Sequence, residues 1–207
     1  MMKILETKWG RFPQVDHLNP KFIPQSTRLK VTLEIDPNGL GERRLEGHIE
    51  ELAELFPSFT NHRCENEHGF STSFRPKPGL KKVDLATDVA HLIEHMIIDL
   101  QCSLGQMRSC SGITCAYWKP ENRYDLFVEC ADPKVGVFAL RFASEVVEEV
   151  LKKGKFSPKY KKLLQLAKFI QRNPQIPHNP QSLSSALGWS KGAIESHLKE
   201  LIRMGYL

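Results

Sequence analysis

The segment HLIEHMIIDLQ, residues 91–101, sets His91, Glu94 and His95 into a run that is otherwise mostly apolar. On an α-helix His91 and His95 are i and i+4, so their rings leave one face a turn apart, and Glu94 at i+3 lies beside them. Two neutral imidazoles so spaced can hold a divalent metal, Zn2+ above all. A carboxylate just outside the ligand set can take a proton from bound water, whose pKa the metal lowers toward 7. H-x-x-E-H is the inverted zincin signature, and a helix is the context it demands. The plainer alternative is a pair of histidines satisfied by carbonyls or by Asp88 and Asp99. Two histidines at ligand spacing around a glutamate favour the metal. A catalytic zinc also needs a third protein ligand and an open position. Cys64, in the polar segment NHRCENEHGF, leads; Glu129 on the segment LFVEC and His62 are the alternatives. Cys102, Cys110, Cys115 and Cys130 are expected to be core thiols.

The elements that would carry these residues are legible in outline. TRLKVTLEID alternates β-formers with polar residues and reads as a half-exposed strand. Leu45, Ile49, Leu52, Leu55 and Phe56 recur at helical spacing from Gly41 to Pro57. A loop-like stretch then carries His62, Cys64 and His68, before the central helix from about Asp84 to Gln101. SGITCAYW and RYDLFVEC read as two strands around the turn KPEN. VGVFALRFASEVVEEVLKKG reads as an amphipathic helix closing at Gly154. This order predicts an α+β fold over residues 1–153, a small α/β domain built on a central metal-binding helix.

Charge marks a second module at 154–207. The whole chain of 207 residues carries +5. From residue 151 onward, 9 Lys and 2 Arg face only Glu195 and Glu200, a net +9, which leaves −4 for residues 1–150. Such asymmetry points to two modules with different partners, the second attracted to polyanions. YKKLLQLAKFIQRNP, SLSSALG and SKGAIESHLKELIRMGYL read as three helices, with Gly188-Trp189-Ser190 as a tight turn between the last two. That is helix-turn-helix spacing, and Ser190, Lys191, His197, Lys199 and Arg203 are the residues expected to meet DNA. The stretch resembles the helix-turn-helix portion of winged-helix regulators, although with Leu207 last a full β-hairpin wing is not expected. Three-helix packing used for partner docking or homodimer formation is the alternative.

Composition excludes several classes. With 41% hydrophobic and 26% charged residues the chain is neither disordered nor collagen-like. The N-terminus lacks a secretory pattern and no stretch of about 18 apolar residues occurs, so a cytoplasmic, non-membrane protein is expected. Five cysteines without framework spacing suit free thiols or metal ligands in a reducing compartment.

Residues from about 30 to 151 resemble the N-terminal domain of cyanophycin synthetases. The resemblance is carried by Phe56-Pro57-Ser58, His62-Arg63-Cys64, Gly69-Phe70, Ala86-Thr87 and the run from Ala90 through His91, Glu94 and His95 to Gln101. In that family the domain binds the growing polymer, and some members add a zinc-dependent peptidase-like site. The resemblance therefore implies metal ligands at Cys64, His91 and His95, with Glu94 as base. Ala90 replaces the family's glycine before the first motif histidine, and its G-R-T-R segment reads Gly112-Ile113-Thr114-Cys115. No phosphate-binding G-x-x-x-x-G-K-[ST] loop is present, so the chain is not expected to be a synthetase.

Three functions follow as expectations. The first is a zinc hydrolase acting on a peptide or isopeptide-like amide, with Glu94 as general base. The second is a DNA-binding regulator whose first domain senses a metal or peptide. The third is a silent polymer- or peptide-binding module with a structural zinc.

Overall fold

A computed structural model describes residues 2–36, 38, 48–58, 64–65, 71–72, 85–105 and 107–207. Four strands form one antiparallel sheet in the order β1-β2-β6-β5, with β1 at Met2–Arg11, β2 at Thr27–Ile35, β5 at Gly112–Ala116 and β6 at Arg123–Glu129. β3 (Cys64–Glu65) pairs antiparallel with β4 (Ser71–Thr72) as a separate two-stranded sheet. The helices are α1 (Ile49–Ala53), α2 (Leu85–Ser103), α3 (Pro133–Lys153), α4 (Lys159–Arg172), α5 (Pro180–Leu187) and α6 (Lys191–Arg203).

The period-2 pattern of β2 decides which face is covered. Leu29, Val31, Leu33 and Ile35 are fully buried beneath α2 and α3. Their neighbours Lys30 and Glu34 point the other way, into ion pairs with Glu6, Asp125 and Arg123. At one corner that outer face is covered as well. Residues 12–26 fold across it, placing Val15 and Phe22 on Phe127 and burying Arg28 between the Asp16 carboxylate at 2.7 Å and the Phe22 ring. A buried guanidinium needs such partners, since an unpaired buried charge costs several kcal/mol on the order of its desolvation.

The sequence pattern does not pick out β1. Its apolar residues Met2, Ile4, Leu5 and Trp9 fail to alternate because the strand shifts register between Ile4 and Glu6. The helix expected over 41–56 is seen as α1; residues 41–47 lie outside the described residues, as does His62.

Local caps set the remaining helix ends. Asp132 accepts from Lys134 N and Pro133 opens α3, while Gly154 closes it with φ 77°, the left-handed conformation that favours glycine. The helix ends there. The hydrophobic core nevertheless continues across this point, from Phe138 and Phe142 on α3 to Leu163, Leu166, Leu198, Met204 and Tyr206. Tyr206 stacks 4.9 Å from Phe138 and donates its hydroxyl to Ala167 O. Asn179 and Ser190 cap α5 and α6, and Gly188 makes the turn between them at φ 68°. α5 and α6 are therefore two helices joined by a tight turn, and no strand follows α6 among the described residues. No helix among the described residues is long and apolar enough to cross a membrane.

Candidate metal centre

α2 crosses the covered face of the sheet. Val89, Ala90, Leu92, Ile93, Met96 and Ile97 are all buried, so polar side chains on this helix must find partners or shift their pKa values. Helical spacing brings the two histidines together as expected. Their Nε2 atoms lie 3.1 Å apart, with the rings nearly perpendicular at a centroid distance of 4.6 Å. The Glu94 carboxylate joins them, and one donor atom from each of the three residues lies within 4.8 Å of the others.

Strand β5 fixes Glu94. Gly112 and Thr114 pair with Val128 and Leu126 of β6 and so share the inward face under α2. Thr114 Oγ1 donates to Glu94 Oε2 at 2.5 Å. Glu94 Oε1 lies over Gly112, where an added Cβ would stand only 2.7 Å from that oxygen. Glycine is needed here for close approach rather than for backbone freedom. Burial pushes the Glu94 carboxyl up to about 7, against the opposing effect of the Thr114 hydrogen bond. Burial pushes His91 down to about 4, which keeps its imidazole neutral.

These donors suit zinc. Two Zn–N bonds of about 2.0–2.1 Å in a tetrahedral site put the ligand nitrogens roughly 3.3 Å apart, close to the spacing found here. His91, held neutral, binds without first losing a proton.

The other residues expected in the site stand as follows. Glu129 is engaged elsewhere: its Oε1 accepts from Ile23 N at 2.8 Å and Ser26 Oγ at 3.2 Å, and its Oε2 from Ser111 N at 3.1 Å. It is outside the three-residue cluster because odd-numbered residues of β6 face away from α2. The backbone of Cys64 lies in β3; its side chain and all of His62 lie outside the described residues. The remaining cysteines are free thiols, and Cys130 is buried. Burial raises the thiols of Cys102, Cys110 and Cys130, and Cys130 reaches about 12; of the four expected core thiols only Cys130 is fully buried, Cys102, Cys110 and Cys115 being half-buried.

Asp99, one turn beyond His95, has a part that helical spacing alone does not reveal. Its Oδ2 accepts from both the backbone N and the hydroxyl of Ser58, at 2.7 and 2.6 Å. This ties the end of the Phe56-Pro57-Ser58 elbow, from which the chain runs on to Cys64, to the helix that carries the histidines. Thr114 and Gly112 were within reach of the β5 alternation, since i and i+2 share a face.

The residues expected to meet DNA divide. Ser190, Lys191 and Lys199 are exposed, and Ser190 caps α6 by accepting from Ala193 N. His197 turns inward, with Nδ1 2.6 Å from Ala193 O and its ring near Trp189. Arg203 is bound bidentately to Glu145 on α3 at 2.6 and 2.8 Å and also to Glu200. It joins the module to the sheet domain instead of offering a phosphate contact.

A family model described as the cyanophycin synthase-like N-terminal domain matches residues 29–152. The chain belongs to this family. The matched span runs from β2 through almost all of α3, so it contains His91, Glu94, His95, Gly112 and Thr114, while α4, α5 and α6 lie beyond it. Membership points to a family related to peptide ligases. No curated protein matches the chain.

Proposed function

We propose that this family member is a zinc-dependent hydrolase of peptide or isopeptide-like amides. The observation that carries the reading is the pair of Nε2 atoms 3.1 Å apart with the Glu94 carboxylate beside them. When bound there, Zn2+ would supply Lewis acidity, polarising a carbonyl and lowering the pKa of a coordinated water. His91 and His95 would hold the ion. Cys64 is the favoured third ligand, with His62 as the alternative. Glu94 accepts the proton of the attacking water and later delivers it to the leaving amine, a role suited to a carboxyl held near pH 7. Thr114 keeps that carboxylate aimed. The test is elemental analysis together with cleavage of a peptide and isopeptide panel: Glu94→Gln should keep zinc and lose turnover, and His91→Ala should lose zinc. Unchanged cleavage by Glu94→Gln removes Glu94 from the mechanism. Zinc without cleavage of any panel member points instead to a silent binding module.

A DNA-binding regulator is the second reading, favoured by the Gly188 turn and the exposed Ser190, Lys191 and Lys199 at α6. With only two cations available there, the salt dependence should be shallow, a log–log slope of about −2. A gel shift at low salt that shows no duplex binding dismisses it.

A further inference from the structure

Several cations around α4 are paired. Lys152 and Lys153 pair with Glu148 and Glu149, Lys161 with Glu54, and Arg203 with Glu145. Lys162 lies over the Trp189 ring at 4.9 Å. Lys168 and Arg172 differ: among the described residues neither has a carboxylate within ion-pair distance or a hydrogen-bond acceptor. They are i and i+4 on α4, a like-charge spacing that weakens a helix. Burial holds the Lys168 ammonium below its usual range; Asp99, whose Oδ2 is taken by Ser58, opposes this from beyond contact, and Arg172 adds to it.

Both cations open onto a groove of about 580 Å3 between the end of α1 and α4. Leu55, Leu164, Phe169 and Leu187 line its apolar side, Gln165 adds an amide, and the Glu54 carboxylate, neutralised by Lys161, lines it as well. Its volume falls within the range of small-molecule sites, and its lining is mixed, apolar on one side and charged on the other. We propose that this groove binds a small organic phosphate, with its apolar body against the leucines and Phe169 and its dianionic head between Lys168 and Arg172. A phosphate monoester neutralises both cations at once and matches the planar donor fork of Arg172, whereas a single carboxylate leaves one charge uncompensated. The site lies largely on α4, outside the family match, and does not depend on the metal reading.

Calorimetric titration of the full chain with AMP, inorganic phosphate and adenosine tests it. AMP should bind saturably, phosphate should compete, and adenosine should bind at least about tenfold more weakly, the scale set by losing charged hydrogen bonds. Lys168→Ala with Arg172→Ala should weaken AMP by at least about tenfold, with Lys168→Gln/Arg172→Gln as a second form if the first melts early. Lys152→Ala/Lys153→Ala, which removes equal charge from α3, should bind like the parent. No saturable AMP binding, adenosine as tight as AMP, or equal weakening in the α3 variant would each overturn the proposal.

Discussion

Nε2 of His91 and Nε2 of His95 meet at 3.1 Å on the buried face of α2, with Glu94 between them in sequence and beside them in space. One helical turn produces the pairing, and the apolar packing around it sets the protonation. A histidine held down at about 4 is neutral throughout the physiological range.

Zinc should raise the melting temperature of chelator-treated parent protein in proportion to log concentration, because only the folded chain presents both rings. His91→Ala and His95→Ala should each weaken zinc by at least about a hundredfold, no less than the loss of an outer-shell partner. Equal melting shifts in parent and variants would remove the histidines from the site.

Thr114→Val removes the donor to Glu94 Oε2, while Thr114→Ser retains it. Under the hydrolase reading the valine variant should lose about 10- to 100-fold in kcat with zinc content unchanged, and serine should restore most of it. Gly112→Ala places a methyl 2.7 Å from Glu94 Oε1 and should cost about 1–3 kcal/mol in urea unfolding. An alanine variant as stable as the parent would show that Glu94 has room to move.

The buried pair gives metal-free protein two opposing pH terms. Glu94 rises from 4.5 to about 7 on folding, so its stabilising contribution is complete below 4.5 and is lost as pH rises through 7. His91 falls from 6.5 to about 4, so its contribution is present above 6.5 and is lost as pH falls through 4. At about 1.4 kcal/mol per pKa unit each amounts to at most roughly 3 kcal/mol, and between pH 5 and 7 they largely offset one another. Glu94→Gln removes one of them. With chelator present it should be more stable than the parent by about 1–3 kcal/mol at pH 8 and should lose that advantage by pH 5. A difference that does not vary with pH in paired denaturation curves would contradict the assignment.

Tyr206 is 7% exposed and bridges Phe138 of the sheet domain to Ala167 of α4. Tyr206→Ala should cost about 3–5 kcal/mol, the range for deleting a buried aromatic ring. Because the core is shared, calorimetry of the parent should show one transition. Arg203→Ala should cost only about 1 kcal/mol, since its ion pair with Glu145 is partly exposed. Two separate transitions in the parent would mean that α4, α5 and α6 fold as an independent unit.

Apart from β1, whose register shift breaks its alternation, the features encoded within a few residues were legible in the sequence. The alternation of Leu29, Val31, Leu33 and Ile35 announced β2, the i, i+4 spacing announced the facing histidines, and Gly188 announced the turn between α5 and α6. Such features depend on backbone periods of 2 and 3.6 and on local caps, which every chain expresses in order along itself. Tertiary structure alone decided the rest. It set Thr114 on Glu94, Ser58 on Asp99 and Arg203 on Glu145, pairs separated by 20, 41 and 58 residues. It also turned Glu129 away from the histidines and left Lys168 and Arg172 without an ion pair among the described residues. Which charge is neutralised, and which carboxylate reaches a site, depends on the strand register and helix packing that bring distant segments together; no periodicity records that.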